Sequence, residues 1–245
     1  MAKDCQGLTV HAVSFGHGGW SVFYTSMPCA KGTLKGRGTN GAGDKHRLVS
    51  TLWDHLVVME SPLWKHCQSS NRVAFPIQVV CGLLGRPHLL LGEDRGPAIS
   101  FSEGGGKVWA ALCGDESGIG IDAAGTDDFQ RDYPVHRVFH PEELHHASKL
   151  AGGDVAEASA LLWSVKEAVV KALGCAFHLV DPRQITVHPS TGRGGGGYDF
   201  PVGLSGKALV RFPIAADRSL WVRSLPQSKM WLSIALLHGR PTGHE

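Results

Sequence analysis

Residues Trp163 to Gly174, WSVKEAVVKALG, set one carboxylate and two ammonium groups in a segment whose other side chains are mostly apolar. At 3.6 residues per turn, Trp163, Glu167 and Lys171 fall at i, i+4 and i+8 and share one face, with Lys166 beside them. Leu161, Leu162, Val165, Val169, Ala172 and Leu173 supply the apolar contacts. A helix that buries most of its surface yet keeps Glu and Lys in register is either salt-bridged or chemically employed. Taken alone, the spacing also fits a solvated Glu–Lys pair worth roughly 0.3–0.5 kcal/mol. A further acid, Asp122, stands in GIGIDAA at Gly118–Ala124.

Local signals say what must position these groups. Asp154 caps the motif helix after a break at Gly152 and Gly153, and Gly174 ends it in the C′ position. Val108–Cys113 and Ile119–Ala123 read as two strands of a hairpin joined by GDESG, which puts Asp122 near a strand end. His140 and Pro141 open another helix, with Glu142 and Glu143 in its first turn as the macrodipole prefers. Nearer the N-terminus, Leu8–Phe15 alternates as a strand does. Asp44 caps a helix to about Met59 that turns Leu48, Leu52, Leu56 and Val57 inward, and Ala74–Leu91 is strand material broken at Gly85 and Pro87. Beyond Gln184 the segments ITV, ALVRF, LWVRSL and MWLSIALL read as strands. Strands and helices without regular βα alternation indicate an α+β architecture.

Two segments together carry a family resemblance. A G-I-D turn at Gly120, Ile121 and Asp122, followed some forty residues later by W-x-x-K-E-A-x-x-K-x-x-G, resembles the signature of the 4′-phosphopantetheinyl transferases. The matching residues of the second motif are Trp163, Lys166, Glu167, Ala168, Lys171 and Gly174. The two-domain type, which includes the surfactin-synthetase activators, fits best. Gly85-Arg86-Pro87 resembles the family's G-[KR]-P element, Ile99–Leu112 its strand and turn before the Asp motif, and Asp44–Leu56 its N-terminal helix with basic residues toward coenzyme A. Residues 1 to about 43 match nothing.

The resemblance implies two similar α/β halves related by a pseudo-twofold axis, residues 1–115 on the coenzyme A side and 116–245 with the metal and catalytic motifs. It implies Mg2+-dependent transfer of 4′-phosphopantetheine from coenzyme A to a serine of an apo acyl or peptidyl carrier protein, releasing 3′,5′-ADP. In that reaction Asp122 and Glu167 are the expected magnesium ligands, since magnesium takes only one or two protein carboxylates and keeps several waters. Glu167 and Lys171 are the expected catalytic residues, as base and as pyrophosphate contact. Arg47, Arg86, Ser100 and Lys171 are expected to bind the coenzyme, and Lys166 to lie at the edge of the site. Two departures fall on the strand side: Ala124 stands where many members carry an acid, and Phe101 where many carry a histidine. Glu103 and Ser102 are the candidates to fill the acid's place. The alternative those departures motivate is a catalytically degenerate coenzyme A or carrier-protein binding module.

Composition narrows the rest. Twenty-four Lys and Arg against 22 Asp and Glu give a net charge of +2, and no basic run reaches five residues, so no nucleic-acid partner is expected. Six cysteines without a C-x-x-C pair suggest reduced thiols, and the N-terminus lacks the apolar core of a secretory signal. The longest apolar stretch, Trp231–Leu237, is far short of the roughly 20 residues of a membrane span, so no membrane contact is expected. A cytoplasmic monomer is the expectation. The G-x-G-x-x-G at Gly36, Gly38 and Gly41 lacks a βαβ setting, GRGGGG at Gly192–Gly197 reads as a hairpin tip, and His136, His140, His145 and His146 read as surface or capping residues.

Overall fold

A computed structural model describes residues 7–15, 20–29, 40–58, 77–113, 118–130, 133–194 and 196–239. In chain order the first elements are β1 (His11–Phe15), β2 (Trp20–Pro28), α1 (Asn40–Val58), β3 (Ile77–Cys81), β4 (Pro87–Leu91), β5 (Asp94–Arg95), β6 (Ala98–Gly104) and β7 (Lys107–Cys113). There follow β8 (Gly118–Gly125), α2 (Val135–Val138), α3 (Pro141–Leu150), α4 (Val155–Ala172), β9 (Ile185–Val187), β10 (Arg193–Gly194), β11 (Gly197–Leu204), α5 (Gly206–Arg211), α6 (Ile214–Asp217), β12 (Arg218–Gln227) and β13 (Met230–Gly239). The architecture is mixed α and β. One sheet has the order β1-β2-β7-β6, a second β10-β11-β12-β13-β8 with β9 on β11, and a third β3-β4-β5.

Alternation along the strands stacks these parts. In β7, Val108, Ala110 and Leu112 face Leu48, Leu52 and Leu56 of α1, while Trp109, Ala111 and Cys113 face the second sheet. That sheet presents Ile119, Ile121 and Ala123 of β8 and Leu232, Ile234 and Leu236 of β13 to the first. Its opposite face, with Phe200, Val222 and Ala235, carries α4. The layers therefore run α1, sheet, sheet, α4. Asp122 shares the α4 side of β8 with Gly118, Gly120 and Ala124, because its parity is opposite to that of Ile121.

Both glycines of the GIG stretch are required by that packing. A Cβ at Gly120 would lie 1.8 Å from the Ala168 carbonyl oxygen, and one at Gly118 would lie 2.4 Å from that of Ala172. The α4 backbone thus rests directly on β8. At its start, Asp154 Oδ1 accepts from the N–H groups of Ala156 (2.8 Å) and Glu157 (3.1 Å); at its end Gly174 adopts φ 77°. Behind the contact, Ser164 Oγ bonds Ser233 Oγ (2.7 Å), which bonds Ser224 Oγ (2.7 Å), a buried hydroxyl chain fastening α4 to β13 and β12.

Several sequence expectations are corrected. Val108–Cys113 and Ile119–Ala123 do not form a hairpin: β7 pairs with β2 and β6, and β8 pairs with β13. Both are buried on both faces because each is sandwiched between layers, and burial of that kind carries no information about the partner strand. ALVRF is not a strand but belongs to α5, where only Ala208 is buried. The first helix starts at Asn40, four residues before Asp44, and Asp122 lies inside β8 rather than near its end. His140 is the N-cap of α3, as expected of a capping residue; its backbone N–H donates to Glu143 Oε2 (2.9 Å). GRGGGG flanks the antiparallel β10–β11 pair, with Arg193 opposite Tyr198 and Gly194 opposite Gly197, and Gly195 lies outside the described residues. Of the G-x-G-x-x-G glycines, Gly36 and Gly38 lie outside the described residues, and Gly41 belongs to the first turn of α1. No helix among the described residues is long and apolar enough to cross a membrane.

Candidate active site

Asp122, on β8, is held by two other elements. Its Oδ1 accepts from Ser102 Oγ of β6 (3.0 Å) and from Lys171 Nζ of α4 (2.8 Å). Ser102 is placed by a second bond, accepting from the Ala123 N–H (3.2 Å), and Ser100 Oγ likewise accepts from the Ile121 N–H (3.1 Å). β6 and β8 are the edge strands of their sheets, and the two serines act as acceptors for β8 N–H groups that no strand pairs. The outward edge of β8 is thereby satisfied while the carboxylate is oriented.

Glu167 and Lys171 stand on the same face of α4, one turn apart, and both line a cavity of about 530 Å³ with Asp122. Lys171 Nζ also donates to the Ile121 carbonyl (3.1 Å), which fixes the ammonium between strand and helix. Burial raises the proton affinity of Glu167, the Asp122 charge raises it further, and Lys171 opposes both. Two carboxylates and one ammonium, the latter bonded to Asp122, give the cleft an acidic balance. Ser102, Glu103, Ala124, Asp128, Phe129, Tyr133 and Trp163 complete the lining. Among the described residues, no group of three or more His, Cys, Asp and Glu side chains is placed to hold a metal.

Lys171 also lines a neighbouring cavity of about 220 Å³, with Arg86, Ser100, Phe101, Lys45 and Gly174. Arg86 reaches it from a turn in which Leu84 and Gly85 both take left-handed conformations (φ 65° and 74°). The guanidinium lies on Gly174, where a Cβ would come within 2.7 Å of Nη1. Cys175, in the same wall, is buried and its thiol is pushed up to about 11, so it stays neutral. Lys45 Nζ sits 5.6 Å from the centre of the Phe101 ring. The position that lacks a histidine is therefore roofed by an ammonium from α1.

Of the residues singled out from sequence, the fold brings Asp122, Glu167 and Lys171 together, and Arg86, Ser100 and Lys171. Arg47 does not join them. It is exposed on α1, and Lys45, two residues earlier and so across the helix, faces the cavity instead. Lys166 is corrected outright: it is fully buried on the far side of α4, donating to Glu143 Oε2 (2.9 Å) and to the carbonyls of Pro182 (2.8 Å) and Ile185 (2.8 Å). Sequence reasoning missed Lys45, Asp128 and Tyr133. An acid at Asp128, in the turn following the Asp122 strand, was a readable signal; Tyr133 was not. Trp163 packs in an aromatic cluster with Phe129, Tyr133 and Phe177, at 4.9 Å from the last.

The family model described as the 4′-phosphopantetheinyl transferase superfamily matches residues 118–201. Among solved structures, the ACPS–CoA complex of Chronobacterium ammoniagenes is 21% identical, covering 52% of this chain and 100% of that one, with a TM-score of 0.41. Mycobacterium tuberculosis acyl carrier protein synthase is 26% identical over 50% of this chain and 97% of its own, with a TM-score of 0.36. The Helicobacter pylori holo-[acyl-carrier-protein] synthase in complex with coenzyme A is 17% identical over 49% and 98%, with a TM-score of 0.38. No curated protein matches the sequence.

Proposed function

We propose that the protein transfers the 4′-phosphopantetheine group of coenzyme A to a serine of an apo acyl or peptidyl carrier protein, releasing 3′,5′-ADP. The observation that carries this reading is the meeting of Asp122 with Glu167 and Lys171, where Lys171 belongs to two adjoining cavities. One is acidic and the other is lined by Arg86 and Lys45. The superfamily model spans both halves of the acidic cleft, Asp122 and Glu167.

The donor set fits magnesium, since Asp122 and Glu167 offer hard oxygens and the charge between them is incompletely offset. Bound there, the ion would offset charge on the pyrophosphate. The serine oxygen attacks the β-phosphorus, the bond to the leaving 3′,5′-ADP breaks, and Glu167, whose proton affinity is raised, takes the serine proton. Lys171, with its ammonium held at the boundary of the cavities, offers a fixed positive charge to the phosphates as negative charge shifts to the leaving group. Arg86 and Lys45 hold the phosphates in the second cavity, and Ser100, its oxygen engaged by the Ile121 N–H, has its own proton to donate. Arg47 is assigned contacts only with parts of the coenzyme that emerge toward solvent.

The reading carries a cytoplasmic monomer of two similar halves, 1–115 and 116–245, related by a pseudo-twofold axis and of the surfactin-activator type. What supports the division is that β1, β2, β6 and β7 precede residue 114 and β8 to β13 follow residue 117, with one long helix outside each sheet. The test is mass spectrometry of apo carrier proteins after incubation with the protein, coenzyme A and magnesium. A gain of one phosphopantetheine mass that is lost in Glu167→Gln is expected. Retained transfer in that folded variant refutes the assignment of Glu167, and coenzyme A binding without transfer to any carrier selects the binding-module alternative.

A further inference from the structure

A second open groove, of about 1160 Å³, lies between α2, the segment 177–184 and α5. Arg137, His178, Lys207 and Arg211 line it against one carboxylate, Asp181. That carboxylate is already engaged, accepting from the Arg183 N–H at 2.9 Å. The whole chain carries a net charge of only +2, so three permanent cations around one groove concentrate positive potential locally. The groove also has an apolar element. In α5 only Ala208 turns inward, leaving Val210 83% exposed between Lys207 and Arg211, with Leu179 on the opposite wall of the groove. Scattered surface valines need no explanation, but aliphatic groups framed by cations in a concavity are what an interface presents.

Position links this groove to the acid cleft. Trp163 lines the cleft, Phe177 lines the groove, and their rings are 4.9 Å apart, so the two share an aromatic wall. Tyr133 of the cleft leads within a few residues into α2, whose Arg137 reaches the groove. A macromolecule seated in the groove is held beside the cleft.

We infer that this groove docks the protein acceptor of the transfer reaction through an acidic polypeptide face that carries an aliphatic side chain over Val210. The inference rests on the transferase reading, which supplies a protein as acceptor. Carboxylates on that face meet Arg137, Lys207 and Arg211, steering the encounter and fixing its register.

The test compares wild type with Lys207→Glu/Arg211→Glu, both exposed positions outside the catalytic cleft. Binding to a panel of purified apo acyl and apo peptidyl carrier proteins is measured by calorimetry at about 50 mM and about 300 mM salt, with coenzyme A binding in parallel. Expected are wild-type binding that weakens with salt, affinity at least about tenfold lower in the charge-reversed variant, and unchanged coenzyme A affinity. Lys207→Arg/Arg211→Lys should bind as wild type does. Equal affinity of the reversed variant and wild type overturns the inference. So does a loss extending to coenzyme A, absence of carrier binding by wild type, or preference of the groove for single-stranded nucleic acid over every carrier. Carrier binding that depends on the groove without any transfer sinks the transferase reading and leaves the docking surface standing; transfer by wild type with groove-independent binding does the reverse.

Discussion

Replacing Gly120 by alanine tests whether direct contact of α4 with β8 is what assembles the cleft. The added Cβ would lie 1.8 Å from the Ala168 carbonyl oxygen, 2.7 Å from the Ala172 nitrogen and 2.8 Å from the Ala168 carbonyl carbon. All three are backbone atoms, so no rotamer change relieves the overlap. Ordinary contact begins near 3.4 Å, which requires α4 and β8 to separate by about 1.6 Å in a close-packed interior. Overpacking on this scale costs about 1–3 kcal/mol, sometimes more. Ala168 adjoins Glu167 and lies three residues before Lys171, so the shift also moves both groups relative to Asp122. Misplacement of a reacting group by about 1 Å lowers rate on the order of 100-fold. Urea unfolding followed by tryptophan fluorescence should report a loss of about 2–3 kcal/mol, and phosphopantetheine transfer should fall on the order of 100-fold. Gly152→Ala is the comparison: φ there is 64° and nothing lies within 4 Å, so a backbone penalty of about 1–2 kcal/mol with normal transfer is expected. Gly120→Ala with stability within about 0.5 kcal/mol of wild type and undiminished transfer would refute the argument that this contact positions the cleft.

Two further outcomes follow from burial and charge. Because burial and the Asp122 charge raise the proton affinity of Glu167 in the fold, its protonated form contributes stability below the ordinary carboxylate range, and that contribution is lost as pH rises through the folded value. Glu167→Gln should therefore melt higher than wild type at pH 7 without magnesium, with the difference shrinking toward pH 4; equal melting temperatures at pH 7 would contradict it. Lys166→Met removes the only cation among the described partners of Glu143, itself 4% exposed, and should cost about 3–5 kcal/mol by chemical denaturation. A loss below about 1 kcal/mol would mean that Glu143 is satisfied by the Val187 and His140 N–H groups alone.

The contrast between Lys166 and Lys171 marks how far a sequence reads. Both lysines sit in one helix pattern near one glutamate, and periodicity gives their angular positions about the axis. It gives nothing about what occupies each side. Lys171 meets Asp122 because β8 passes beneath that face, whereas Lys166 meets Glu143 because α3 and the turn at Pro182–Gln184 close over the other. Arg47 and Lys45 repeat the lesson on α1, where two residues of offset decide between solvent and cavity.

Local chemistry was legible wherever one segment contained its own cause: the Asp154 cap, the Gly174 terminus, the His140-Pro141 start, and the carboxylate, ammonium and aromatic register of α4. What remained hidden depends on which layers meet. Short runs buried on both faces, Val108–Cys113 and Ile119–Ala123, looked like a hairpin because a pattern of burial does not record the identity of the neighbour. ALVRF looked like a strand although its exposed side faces solvent beside a basic groove. The sequence by itself determined which groups are available for chemistry and which helix presents them. Only the tertiary structure decided that edge strands β6 and β8 meet through Ser100 and Ser102, and that glycines at 118 and 120 admit α4 close enough for Lys171 to reach Asp122. The physical reason is that spacing along a chain fixes angles within an element, while contact between elements is set by the volume and hydrogen-bonding of residues far apart in sequence.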